Sequence, residues 1–187
     1  MSHNIREDIL AAGRRTAQAH GYAGLNFREL AKEVGVKAAS IYYYFPSKAE
    51  LAVAVAERYW RDSEVFLEDL LKNSSNPEAA LQRYPETFRW ALESDNRMCL
   101  CSFMSAEFHD LPEPVRREVQ VFADVNITWL SNVLALGKVV PPRDRQHRAR
   151  AIFAAIVGAQ LMARSRSDLR LYDEVIGTYQ SAGLLPR

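Results

Sequence analysis

The chain has 187 residues, 48% of them hydrophobic, and a formal net charge of +1, which supplies a sizeable core and says little as a total. The charge is uneven: residues 1–48 hold seven basic side chains (Arg6, Arg14, Arg15, Arg28, Lys32, Lys37, Lys48) against four acids (Glu7, Asp8, Glu29, Glu33), while the remainder is slightly acidic, a pattern that suits contact between a basic head and a polyanion. The opening MSHNIREDIL has no apolar secretory core, no run of about 18 apolar residues is present, and two cysteines one residue apart, Cys99 and Cys101, argue against both a disulfide framework and a structural zinc site, so a cytoplasmic protein with no membrane contact is expected.

Helical periodicity runs along the whole chain. Residues 5–20 place Ile5, Ile9, Leu10, Ala12, Ala17 and Ala19 mainly at three- and four-residue spacings, and Gly21 stops that helix. Asn26 opens the next helix, with Glu29 three residues on as a capping box. Leu30, Ala31 and Val34 form its apolar stripe, and Gly35 breaks it. A short segment from Ala38 to Tyr44 ends at Pro46. Ser47 and Glu50 form a second capping box, opening a long helix to about Leu71. Pro77 stands in the first turn of a helix over about 78–94. Residues 95–97 break it, and a shorter apolar helix covers about 98–108. Asp110 is read as the cap of the following helix, which reaches about Leu136. Gly137, Pro141 and Pro142 separate it from two last helices, about 144–166 and 169–182. No segment alternates with a period of two, and no repeat is present. The expectation is an all-α fold of about nine helices, with residues 1–48 as a DNA-binding domain and residues 49–187 as a ligand-binding and dimerisation domain.

Residues 26–48, NFRELAKEVGVKAASIYYYFPSK, carry the most information. Two short helices flank Gly35, which can turn the chain tightly without a Cβ clash. That is the pattern of a helix-turn-helix, in which the second helix enters the major groove. Ile41 faces inward, with Tyr44 and Phe45 nearby; Lys37, Ala38, Ala39, Ser40 and Tyr43 face outward. Small side chains at 38–40 permit close approach to base edges, where Ser40 can exchange a hydrogen bond and alanine methyls can meet thymine methyls. Tyr42 and Tyr43 carry phenols that reach phosphate oxygens. Lys48 lies in the first turn of the next helix, where free backbone N–H groups favour an anion. Aromatic residues at helical spacing are commonly core, but three consecutive tyrosines cannot all face inward. Lys32 reads as solvated surface.

The run from Phe27 to Leu51, with its tail Y-Y-F-P-S-K-A-E-L, resembles the signature of the TetR family of one-component regulators. The preceding helix and the Gly21-Tyr22 turn match the same family's opening. The resemblance covers about the first quarter of the chain strongly; the rest agrees in length and helix count. It implies base readers at Lys37, Ala38, Ser40 and Tyr43, and phosphate contacts at Tyr42 and Lys48 with Asn26 or Arg28. Many members have Ser-Lys-Gly or similar in place of Lys37, Ala38 and Ala39, and His in place of Tyr43, so base preference does not transfer.

The resemblance also implies a homodimer and a small-molecule effector cavity. Dimer candidates lie on the last two helices: Phe153, Ile156, Val157, Gln160 and Leu161 on one, Val175 and Tyr179 on the other, with Gly158 and neighbouring alanines permitting close packing. The alternative is that these faces are core. Effector candidates are Trp60, Phe66, Phe88, Cys101, Phe103, Met104, Phe122 and Trp129, an apolar and aromatic set, although such residues also build plain cores. Cys99 and Cys101 are candidate thiol sensors of electrophiles if one pKa is lowered, with Arg97 adjacent; the other reading is two small buried hydrophobes. An enzyme is not expected: His3, His20, His109 and His147 are scattered, and Glu107, His109 and Asp110 form the only tight acid–histidine group. No metal or cofactor is expected. A helical protein-binding adaptor is the remaining alternative, which needs neither the basic head nor exposed tyrosines.

Overall fold

The computed structural model describes residues 4–186, so His3 lies outside the described residues. Within that range every regular element is helical. Helix α1 spans Ile5–His20. Asn4 caps it by accepting from the Glu7 N–H at 3.4 Å, and Glu7 and Asp8 place negative charge against the positive end of its dipole. Helices α2 (Phe27–Val34) and α3 (Ala38–Tyr44) follow, then α4 (Lys48–Lys72). At the start of α4 the Ser47 hydroxyl accepts from the Glu50 N–H at 3.2 Å and lies 3.3 Å from its carboxylate. The expected helix over 78–94 is divided into α5 (Pro77–Arg83) and α6 (Glu86–Glu93). Pro85 has no N–H to continue the ladder, and its carbonyl instead starts α6 by accepting from Phe88 and Arg89. Helices α7 (Leu100–Ala106), α8 (Glu113–Leu136), α9 (Arg145–Arg166) and α10 (Leu169–Ser181) complete the order, with a 3-10 turn at Pro142–Asp144 before α9.

Asp110 is not the cap expected from the sequence. Helix α8 begins three residues later, and the Pro112 carbonyl takes the Val115 and Arg116 N–H groups. By length and composition α8 is also apolar enough to cross a membrane, an 18-residue stretch of it having mean hydropathy 1.3, although Asp124 and Asn126 interrupt it and it is no unbroken apolar run. Val115, Val119, Phe122, Trp129, Leu130, Val133 and Leu134 of this helix are buried in the chain's own core.

The described chain divides into two compact units. The first comprises residues up to Arg61 together with Leu100–Phe122; the second comprises Asp62–Cys99 and Ala123 onward. The unit that holds the helix-turn-helix is therefore larger than residues 1–48, because α7 packs against α1. Its core is built on Ile9, Leu10, Ala12, Leu30, Ile41, Leu51, Val55 and Met104.

The second unit has a polar skeleton inside its apolar core. Gln160, wholly buried, accepts from the Cys99 N–H at 3.0 Å and donates to the Phe88 carbonyl at 2.7 Å, tying α9 to α6 and to the segment that follows it. The Tyr84 hydroxyl donates to Asn126 at 2.8 Å, and the Tyr172 hydroxyl donates to the Pro85 carbonyl at 2.8 Å. Burial pushes both phenols above their ordinary range, so each stays protonated and able to donate. Replacing Gln160 by Leu keeps the volume but strands the Cys99 N–H and removes the second donor of the Phe88 C=O. The expected loss is about 2–4 kcal/mol of unfolding free energy, read from urea denaturation; a loss below 1 kcal/mol would mean that water re-satisfies both groups.

Candidate nucleic-acid interface

Helix α2 starts at Asn26, whose side-chain oxygen accepts from the Arg28 N–H at 2.9 Å and the Glu29 N–H at 3.3 Å. Only this half of the expected capping box forms, since Glu29 turns to Lys32 at 2.8 Å. The helix ends at Gly35, which adopts the left-handed conformation (φ 78°, ψ 30°). There the Gly35 N–H reaches the Lys32 and Ala31 carbonyls, and the Val36 N–H reaches Ala31 at 2.9 Å, closing the turn that sends the chain into α3.

Helix α3 is seated by two buried side chains, Ile41 and Phe45. All three tyrosines remain exposed: Tyr43 is 82% accessible, Tyr42 56% and Tyr44 36%. Tyr44 was expected near the inward face; instead its ring lies edge-on to Tyr43, with centroids 5.2 Å apart. Tyr42 packs edge-on against Phe27 at 4.7 Å, which fixes one side of an otherwise exposed ring. Lys37 and Ala39 are exposed and Ala38 and Ser40 half-buried, so the four expected base readers lie along one accessible stretch.

The expected phosphate contacts come together as well. Asn26, Arg28, Tyr42 and Lys48 line one open groove of about 420 Å3, together with Ala23, Leu25 and Phe27. Arg28 and Lys37 pair with no carboxylate among the described residues, whereas Arg15 is held by Glu33 at 2.6 Å and Lys32 by Glu29. Lys48 is already engaged: its ammonium donates to the Ala23 carbonyl at 3.1 Å and lies 4.4 Å from the centre of the Tyr22 ring. Partial burial lowers its pKa, and the negative charge of Glu107 opposes that shift. Glu107 itself accepts from the Tyr22 N–H at 2.6 Å and the Ala23 N–H at 3.3 Å. No local signal in the sequence marks Glu107 for this role.

The remaining candidates are distributed as follows. Trp60, Cys101, Phe103, Met104 and Phe122 belong to the first unit, where the Trp60 indole donates to Glu118 at 2.7 Å and Phe122 lies beside Tyr59. Phe66, Phe88 and Trp129 belong to the second. There Trp129 stacks on Tyr84 at 5.5 Å, its buried indole N–H is without a partner, and Phe66 lies edge-on to Trp90. Cys99 and Cys101 are both buried, and Arg97 is held by Asp95 at 2.6 Å. Of the dimer candidates, Ile156 and Gln160 are corrected: both are wholly buried in the chain's own core and present nothing to a partner. Phe153, Val157, Val175 and Tyr179 are half-buried, and Leu161 is 55% exposed.

A short exposed helix behind a glycine turn, with cations and hydroxyls gathered at its flank, defines a helix-turn-helix DNA-binding regulator. Residues 9–55 match the family model described as bacterial regulatory proteins, tetR family. The transcriptional repressor NemR of Escherichia coli K12 is 30% identical over 173 residues, covering 88% of this chain and 87% of that protein. A TetR transcriptional regulator from Legionella pneumophila superposes with a TM-score of 0.91 at 28% identity, covering 97% of this chain and 99% of that one. The reduced form of E. coli NemR superposes at 0.84 with 26% identity, covering 96% of each chain. The chain belongs to the TetR family and is a DNA-binding transcriptional regulator.

The geometry separates seating from reading. Ile41→Ala is expected to cost about 2–5 kcal/mol, whereas Tyr43→Ala leaves stability within about 0.5 kcal/mol, both measured by urea unfolding.

Proposed function

We propose that this protein is a homodimeric repressor that binds a palindromic operator and leaves it when a small effector binds. The observation that carries the reading is the groove shared by Asn26, Arg28, Tyr42 and Lys48 beside the exposed face of α3. In this reading Lys37, Ala38, Ser40 and Tyr43 meet base edges. Arg28, Lys48 and the Tyr42 hydroxyl hold phosphates, and Asn26 keeps its amide N–H groups for the same strand while its oxygen caps α2.

A second copy is assigned to the outer face of α9 and α10. Leu161 and Met162 are exposed there, and Phe153, Val157, Val175 and Tyr179 offer partly covered apolar area. Added Cβ atoms at Gly158 and Gly177 would meet nothing within 4 Å, so both positions leave room for a neighbouring helix. Pairing would place two reading helices about one DNA turn apart, about 34–36 Å.

The effector class in this reading is small, apolar and aromatic. Trp129 and Phe88 in the second unit pack on Tyr84, and the Trp129 indole N–H is a buried donor without a partner among the described residues, which an acceptor on a ligand would satisfy. Relief of repression by electrophiles at Cys99 or Cys101 is the alternative trigger, and burial of both thiols counts against it in the ligand-free chain. Loss of the electrophile response in Cys99→Ser or Cys101→Ser would favour the thiol; an unchanged response in both would eliminate it.

Fluorescence anisotropy against DNA upstream of the protein's own gene and against scrambled DNA tests the central reading. Tyr43→Ala is expected to abolish the preference for one sequence. Lys48→Ala is expected to weaken binding to all DNA and to reduce the slope of log K against log salt by about 1. Equal binding to every sequence, including those from a random-sequence selection, would overturn operator recognition. Leu161→Arg is expected to halve the mass seen by light scattering and to weaken operator binding with it; an unchanged mass would remove this face from the dimer.

A further inference from the structure

We propose that Glu107 is a positioning residue for DNA binding, setting the place of the Lys48 ammonium through the turn between α1 and α2. The proposal rests on the reading of Lys48 as a phosphate contact. Four observations within the first unit carry it. The Glu107 carboxylate spans two successive backbone donors, Tyr22 N–H at 2.6 Å and Ala23 N–H at 3.3 Å, while the turn's own backbone bonds engage Gly21, Gly24 and Leu25. The carbonyl of the same Ala23 accepts from Lys48 at 3.1 Å, and the ring of the same Tyr22 lies 4.4 Å beneath the ammonium. Ala23 and Lys48 both line the groove with Asn26, Arg28 and Tyr42. Finally, Gly21 has φ +67°, and a Cβ there would fall 2.3–2.6 Å from the Glu107 carboxylate, so the turn and the carboxylate are fitted to each other.

The physical consequence is a chain of four groups: carboxylate, turn amides, turn carbonyl, ammonium. The two carboxylate bonds fix the backbone at Tyr22 and Ala23, and the Ala23 carbonyl, in the next peptide group along, is thereby placed to accept one of the three N–H donors of the Lys48 ammonium. Glu107 stands just beyond the end of α7, the helix that carries Cys101 and Met104. The negative charge of Glu107 also faces Lys48, so its removal by itself would strengthen attraction of the ammonium to DNA. Positioning and plain electrostatics hence predict opposite signs.

The test compares wild type, Glu107→Ala, Glu107→Gln, Lys48→Ala and the Glu107→Ala/Lys48→Ala double variant. Amide hydrogen exchange on the free protein is the first readout. Faster exchange at Tyr22 and Ala23 in Glu107→Ala, with α2 and α3 unchanged, is expected; unchanged exchange there overturns the proposal whatever the DNA result. Anisotropy with operator DNA over a salt series is the second. Glu107→Ala is expected to weaken binding about tenfold and to lower the salt slope by about 1, with Gln restoring part of both because its amide oxygen still accepts. The double variant is expected to match Lys48→Ala alone. Tighter binding by Glu107→Ala, or losses that add in the double variant, would overturn the proposal and leave Glu107 a counter-charge. Absence of binding by wild type would count against the repressor reading instead, and the exchange measurement would still decide the turn.

Discussion

A seven-residue helix cannot maintain itself in water, because nucleation fixes several dihedrals for very few hydrogen bonds. Helix α3 therefore exists only as far as its anchors hold it. Ile41 and Phe45 are those anchors, one turn apart and buried, and every exposed group of this helix hangs on their packing. The three tyrosines between them are left outside because the two anchors use up the inward face. That geometry separates fold from function at adjacent residues: Ile41 carries stability, and Tyr42 and Tyr43 are free to serve recognition.

The flank of the reading helix is organised by backbone groups rather than by opposed charges. Gly35 closes α2 in a left-handed turn, Asn26 opens it, and the turn at Gly21–Ala23 is held by a carboxylate from beyond α7. Arg15 is neutralised by Glu33 and Lys32 by Glu29, whereas Arg28 and Lys37 pair with no carboxylate among the described residues. Of these two, Arg28 lines the groove, beside Lys48. The second unit uses the opposite device, with Gln160, Tyr84 and Tyr172 placing uncharged hydrogen bonds inside an apolar core, where an unmade bond is costly. The Gln160 bonds fix which face of α9 turns inward.

The sequence by itself determined the helical fold class, most helix limits, the glycine turn and the buried anchor Ile41. Those features depend on neighbours within about four residues, where caps, glycine turns and apolar stripes act. What only the tertiary structure decided depends on residues far apart in the chain. The Glu107 carboxylate reaches a turn 85 positions earlier, and Gln160 spans 61 and 72 positions to its partners. A glutamate at a helix end and a glutamine in an apolar stripe look alike whether they face solvent, a partner or a buried N–H. The same holds for Tyr44, Ile156 and the Pro85 break, where periodicity names the stripe but not the element that covers it. Local propensity is written in short spacings; pairing of buried polar groups is written only when distant helices meet.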